Sequence, residues 1–309
     1  MSETSVTPAR PTASGVWALV LASVFWGTTG TAASFFPDSV SPLAIGASTM
    51  AFGGLLLFIV SAKGAVGALR HSAARRWLLI GAVGVFVYPL AFYTSMDLAG
   101  VAVGNVVALG SGPVFAAIFE WLWERRGLST RWLVATAVAI VGITLLAFSR
   151  HADDAGGGDD VTLGVLLGLL AGVAYALYTY ASSRAIAVGH TGRSVMGGMF
   201  GLGAVALLPV FLALGAPLLQ SPQSVGIAAY LAVGPMFVAY LLFGFGLTHM
   251  RSSVATTVTL IEPLVATVLA VIVVGERLEP GGWVGLALIL AGITVLVTAR
   301  RPPKSRVAF

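Results

Sequence analysis

Apolar residues run through this chain in long unbroken blocks, and short polar or charged stretches separate them. Ten blocks, near residues 16–35, 42–62, 77–96, 101–123, 132–149, 163–182, 195–215, 225–247, 253–275 and 282–299, approach a membrane-spanning length. A helix needs about 20 mainly apolar residues to cross a hydrocarbon core of roughly 30 Å. None of the blocks alternates with a period of two, so helices are preferred over barrel strands and an all-α integral membrane fold of ten transmembrane helices is predicted. Pro37, Pro42, Pro217, Pro222 and Pro280 fall at or just outside block ends, where a missing amide hydrogen costs little. Pro89, Pro113, Pro209, Pro235 and Pro263 fall inside blocks and predict kinked or interrupted helices. Among these, Pro89, Pro113, Pro235 and Pro263 are the candidate helix-break and gating positions.

The blocks also repeat. GITLL at 142–146 returns as GITVL at 292–296, LASVFWG from Leu21 returns as LAGVAYA from Leu170, and PVFAAI from Pro113 returns as PLVATV from Pro263. The offsets of 149 or 150 persist from the start of each half to its end, which describes one duplicated unit rather than a shared motif. Five spans per unit is an odd number, so the second copy enters the bilayer inverted relative to the first. Two inverted five-helix repeats place a binding site near mid-membrane, where they meet. The expected organisation is a cytoplasmic tail (1–15), a first repeat (16–149), an external linker (150–162), a second repeat (163–299) and a basic cytoplasmic tail (300–309).

Charge tests this layout independently. Numbering the loops alternately with both termini inside puts every one of the 17 Lys and Arg residues except Arg150 and Arg277 on the inner side. The positive-inside rule thus supports ten spans in the cytoplasmic (inner) membrane with both ends cytoplasmic. Charged residues are 9% of the 309 residues, against about 25% in soluble domains, so lipid must cover much of the surface. The net charge of +5 is scattered over short loops, which excludes a nucleic-acid face. The chain has no cysteine, so thiolate metal sites and disulfides are absent. A removable leader over the first block is the alternative to a first span, but a leader has no reason to share LASVFWG with mid-chain sequence. The linker RHADDAGGGDD lacks EF-hand spacing and reads as solvated rather than as a cation site.

Glu262 is the leading functional candidate. It interrupts TVTLIEPLVATVLAVIV with no basic residue between Arg251 and Arg277, and Pro263 frees a carbonyl one turn earlier, near Thr259. An ionised carboxyl at the centre of a membrane helix costs on the order of 2.5–3.5 kcal/mol, so it faces a polar interior. It can bind a cationic group or exchange a proton, or it can hydrogen-bond a neighbouring helix and only fix packing. Gly112 stands at the matching place in the first half, so whatever Glu262 does is done once.

Trp26 and Tyr175 are repeat partners, and Gly168, Gly172, Tyr175, Thr179 and Ser182 share one helix face, with Tyr178 a turn beyond Tyr175. The aromatics, with Ser182 on their face and Thr259 beside Glu262, are assigned to a cavity wall and the glycines to close helix packing. Tyr88, Phe92 and Tyr93 of the third block, Asn105 and Ser111 of the fourth, and Tyr240 and Phe243 of the eighth complete the wall candidates. Trp77, Trp123, Trp132 and Trp283 read as anchors at the headgroup level. Glu120 and Glu124 near Arg125 and Arg126 read as a surface ion pair, and His249 and Arg251 as headgroup contacts. Walker, GxGxxG, HExxH and GxSxG motifs are missing and the four histidines lack ligand spacing, so no catalytic residue, metal or cofactor is expected.

The Trp26-Gly27 pair, PVFAAI and above all EPLVATVLAVIVVGERL from Glu262 to Leu278 resemble the EamA family of the drug/metabolite transporter superfamily over roughly residues 16–299. The resemblance implies a ten-helix carrier that exports amino acids or other small metabolites by alternating access, most similar to bacterial exporters of aromatic and other amino acids. Its GER motif matches Gly275, Glu276 and Arg277, whereas the first half has WERRGL with Glu124 displaced by two positions. The expected cavity is walled by helices 1, 3, 4, 6, 8 and 9. Helices 2 and 7 are expected to supply sliding surfaces, and helices 5 and 10 a scaffold or dimer face, in a monomer or homodimer. A proton-coupled exporter of organic cations, with the proton as coupling ion, and a membrane assembly protein without flux are the competing functions.

Overall fold

The computed structural model describes residues 12–37, 39–99, 101–125, 127–148, 159–274 and 280–298. The two tails, most of the linker and the Gly275–Arg277 motif lie outside the described residues. All regular structure among the described residues is helical. The helices are α1 (Ala13–Ala33), α2 (Pro42–Arg70), α3 (Ser72–Ala99), α4 (Val101–Glu124), α5 (Thr130–Phe148), α6 (Asp159–Ala187), α7 (Gly192–Leu214), α8 (Pro222–Leu247), α9 (Ser252–Val273) and α10 (Pro280–Val297). Eight are plainly long and apolar enough to cross a membrane. The shorter pair, α5 with 19 residues and α10 with 18, still spans about 27 Å at 1.5 Å per residue. Ten spans result.

Local sequence sets several helix starts. Thr12, Ser41, Thr191 and Ser221 each accept a backbone amide three residues on, at 3.0–3.2 Å, and so cap α1, α2, α7 and α8. Pro42 and Pro222 occupy the first turn, where no amide partner is needed. Two of the internal prolines change the helix type as predicted: Pro235 lies in a wide π-helical stretch, Ala232–Val238, and Pro263 follows a tightened 3₁₀ turn, Thr259–Ile261. Pro89 and Pro113 do not break their helices, and neither does Pro209. A proline within a bundle is tolerated when neighbouring groups absorb the freed carbonyl, so presence alone does not force a break.

Packing displays the duplication. Each helix touches either its own repeat counterpart or the counterpart of another neighbour: α2 packs on α7, α5 on α10, α6 on α3 and α4, and α1 on α8 and α9. The α5–α10 junction shows the symmetry residue by residue. A Cβ on Gly142 would lie 2.6 Å from the Gly285 carbonyl oxygen and 2.8 Å from the Ile289 nitrogen. A Cβ on Gly292 would lie 2.6 Å from the Ala135 carbonyl oxygen and 3.0 Å from the Ala139 nitrogen. Adding 150 to 142, 135 and 139 gives 292, 285 and 289, so each contact is the mirror of the other. Gly15 against His249 and Gly164 against Ala99 repeat the pattern at the ends of α1 and α6. The glycines of α6 serve close packing: Gly172 meets Ser111 and Ala108 of α4, and Gly168 meets Ser95 and Val107. On α7, Gly197 fits against Ser61 and the Leu57 carbonyl, and Gly201 against Phe58. Helices 2 and 7 are thus interlocked at close range in this conformation.

Two tryptophan assignments need correction. Trp77 and Trp132 are each 6% exposed and belong to the core, whereas Trp123 and Trp283, at 56% and 55%, lie on the outside as expected of anchors. The Trp132 indole donates to the Ser253 carbonyl at 3.3 Å, a partner that no local sequence pattern announces.

Candidate functional site

An unbroken chain of aromatic rings crosses the bundle. The Trp26 ring on α1 lies 5.1 Å from Tyr240 and 5.4 Å from Phe243 on α8. Its indole donates to the Pro235 carbonyl at 2.8 Å, inside the wide turn of the same helix. The Tyr240 and Tyr178 hydroxyls lie 2.9 Å apart, and the Tyr178 ring sits 5.4 Å from Tyr175 and 6.0 Å from Tyr88, which stacks on Phe92 at 5.3 Å. The Tyr175 hydroxyl meets the Thr259 hydroxyl at 2.7 Å, which brings the chain to α9 one turn before Glu262. Seven candidate wall residues from α1, α3, α6 and α8 therefore occupy one neighbourhood, and Tyr175 joins it to Thr259 of α9. Trp26→Phe removes one hydrogen bond and keeps an aromatic ring, so it is expected to lower unfolding stability by about 1 kcal/mol. A thermal melt in detergent checks this.

Burial changes abruptly along the helices of this neighbourhood. On α9 the stretch from Ser252 to Leu260 is buried apart from Val254, while Ile261, Glu262, Leu264, Val265 and Ala266 are partly exposed. On α1 Ala18, Leu19, Ala22 and Ser23 are buried and Phe25, Trp26, Thr28 and Thr29 are partly exposed. Tyr88, Phe92, Tyr93 and Thr94 of α3 are also partly exposed. The crevice is sealed toward the N-terminal ends of α1 and α9 and opens toward their C-terminal ends.

Glu262 lies on the open side of that boundary. Tyr88, Tyr93, Tyr175 and Tyr240 are all close enough to feel its charge. Among the described residues no ion pair or hydrogen bond engages its side chain, which leaves a carboxyl group facing aromatic walls and hydroxyls. Asn105 on α4 is partly exposed, and its side-chain oxygen is buried without a hydrogen-bond partner among the described residues. A buried amide oxygen without a partner is costly and calls for one.

Two candidates sit elsewhere. Ser182 is fully buried, and its hydroxyl donates to the Tyr178 carbonyl and toward the Met199 sulfur, so it packs α6 against α7 in this conformation. Ser111 donates to the Ala108 carbonyl within α4 and abuts Gly172, so it belongs to the α4–α6 seam. Sequence reasoning missed Phe200 of α7, whose ring lies 4.3 Å from Tyr240, and the Thr28–Tyr230 hydroxyl pair at 2.6 Å, which joins α1 to α8. Both would have needed knowledge of which α7 and α8 faces point inward.

Glu120 is the largest correction. It is 2% exposed and its partners lie at the start of α9 and in the residue that precedes it: the Ser252 hydroxyl at 2.7 Å, the Ser253 amide and hydroxyl at 2.9 Å each, and the Arg251 guanidinium at 2.5 Å. It is no surface pair with Arg125, and Arg251 turns inward to meet it. Glu124 pairs with Arg184 of α6 at 3.1 Å.

Comparisons with known proteins agree with this architecture. The profile of the EamA-like transporter family matches the chain twice, over residues 13–148 and 162–298. The chain is 34% identical over 291 residues to the uncharacterized transporter YwfM of Bacillus subtilis (strain 168), covering 93% of this chain and 95% of that one. It is 26% identical to the probable terminal-alkyne amino-acid exporter of Streptantibioticus cattleyicolor, covering 91% and 92%. A protein of solved crystal structure shares the fold at a TM-score of 0.77 and 20% identity, covering 91% of this chain and 96% of that chain.

Proposed function

The chain belongs to the EamA-like transporter family, and from that premise we propose that it exports amino acids or related small metabolites by alternating access. It is a multi-pass membrane transporter and not an enzyme. The finer reading rests chiefly on Glu262, a carboxyl group without a cationic partner among the described residues, set beside aromatic rings at the boundary between the sealed and open halves of the crevice. Such a group complements the ammonium of an amino acid, and the faces of Trp26, Tyr88 and Phe92 suit an apolar or aromatic side chain. The substrate carboxylate would be met by neutral donors, the Asn105 amide and the Tyr88 and Tyr93 hydroxyls. Repeats 16–149 and 163–299 would rock about the crevice. Both termini, and the sealed end, would then lie on the cytoplasmic side of the inner membrane, a reading that the basic loops support.

A second reading has one observation in its favour: no Lys or Arg among the described residues faces Glu262, as export of an organic cation in exchange for a proton would require. Counterflow in proteoliposomes separates the two. Preloaded vesicles are expected to exchange labelled amino acids, with aromatic ones foremost, whether or not a proton gradient is present. Exchange confined to organic cations and driven by the gradient would favour the second reading. Vesicles that accumulate neither would overturn both.

A further inference from the structure

α9 begins without a cap of its own, because Arg251 holds the capping position and offers no acceptor. The acceptor comes from the other half of the chain. Glu120 of α4 takes the Ser252 hydroxyl and the Ser253 amide on one oxygen, and the Ser253 hydroxyl and the Arg251 guanidinium on the other. A carboxylate at a helix N-terminus is stabilised by the free amides and the helix dipole. Removing such a charge from water is costly unless every lone pair is engaged, and here both oxygens are. Trp132 and Thr136 of α5 reach the same turn through Ser253 and Thr257, and the Glu124–Arg184 pair ties α4 to α6 nearby.

This knot closes the sealed end of the crevice. One carboxylate makes all four contacts, so a separation of α4 from the start of α9 breaks them together rather than by degrees. Thr259 and Glu262 lie further along the same α9, so any displacement of its first turns is transmitted to the site. The repeat sets Ala270 against Glu120, so this carboxylate has no counterpart in the sequence of the second half.

We propose that Glu120, with Arg251, Ser252 and Ser253, is a latch that holds the crevice shut at this end, and that its parting admits substrate there. Glu120 is on this view a positioning residue: it sets which conformer is populated and need not touch the substrate. The proposal rests on the carrier reading, and its test keeps the two apart.

The chain lacks cysteine, so a single introduced thiol is a unique probe. Ala255 and Ala266 share one face of α9 with Thr259 and Glu262 by helical spacing. Ala255 is fully buried between the latch and Thr259, and Ala266 is partly exposed beyond Glu262. Ala255→Cys and Ala266→Cys are each read in proteoliposomes with a membrane-impermeant maleimide added on one side. Adding Glu120→Gln is expected to raise labelling of the 255 thiol from the latch side by about tenfold or more, as for a minor conformer made prevalent. Labelling of the 266 thiol from the opposite side should fall. Arg251→Gln should act in the same direction, and it carries the test if Glu120→Gln fails to assemble, because it leaves the hydrogen bonds of Glu120 in place. Labelling equal to the parent in a folded variant overturns the latch. If the parent then shows labelling of the 255 thiol that depends on amino-acid turnover, the carrier reading survives that failure. If it shows none, both fall.

Discussion

Glu262→Gln is expected to reduce amino-acid counterflow by about 30-fold or more while the protein remains folded and monodisperse. Removing one member of a buried, hydrogen-bonded charge pair costs about 2–5 kcal/mol, and 1.4 kcal/mol is a factor of ten. The pair in question forms only when substrate is bound, because Glu262 has no partner among the described residues to lose. Stability should therefore stay level or rise slightly, since the neutral amide is less costly to hold among Tyr88, Tyr175 and Tyr240. Initial rates of labelled phenylalanine exchange, set beside thermal melts of the same preparations, supply both numbers. A variant that transports normally would make Glu262 a packing residue. One that misfolds would show that its carboxyl is bonded in a way that the described residues do not reveal.

The second large effect belongs to the scaffold. Gly142→Val and Gly292→Val should each destabilise the protein by about 3 kcal/mol, the upper end of ordinary overpacking, because the added side chain meets backbone rather than a movable side chain. Their equality is the sharper expectation. Each glycine faces the counterpart of the residues that the other faces, so the two substitutions inject the same wedge into one symmetric junction. The double variant should cost less than the sum of the singles, because helices already pushed apart by one valine have room for the next. Thermal unfolding of the three variants measures this, and strongly unequal singles would show that the symmetry of the contact is not energetic.

How far these features could be read in advance depends on how local their causes are. Span number and the twofold repeat are written in hydropathy and in recurring words such as GITLL, and they emerge intact in the fold. Helix ends are less legible. α2 continues to Arg70 and α6 to Ala187 because Lys63, Arg70 and Arg184 ride on helical extensions past the apolar block, where a hydropathy window loses the signal. The aromatic wall was foreseeable in part, since mid-span rings recur between halves at Trp26 with Tyr175 and at Tyr93 with Phe243, whereas Tyr240 stands opposite Leu90. Ser182 and Ser111 were misplaced because a hydroxyl on a helix can serve its own backbone as readily as a cavity. Glu120 was hidden for the opposite reason: basic neighbours at 125 and 126 supply a plausible local partner, while the actual partners lie 131 to 133 positions away. Trp132 shares that fate, with its acceptor 121 positions away.

The mirrored junction between α5 and α10 bears on the equivalence of the two halves. A surface that recognises its own copy about a two-fold axis is the form of contact made by identical subunits. Gly142 and Gly292 preserve that form within a single polypeptide. Either half thus carries the complete surface for the seam, whereas Glu120, matched by Ala270, is a point at which the two arms are not interchangeable.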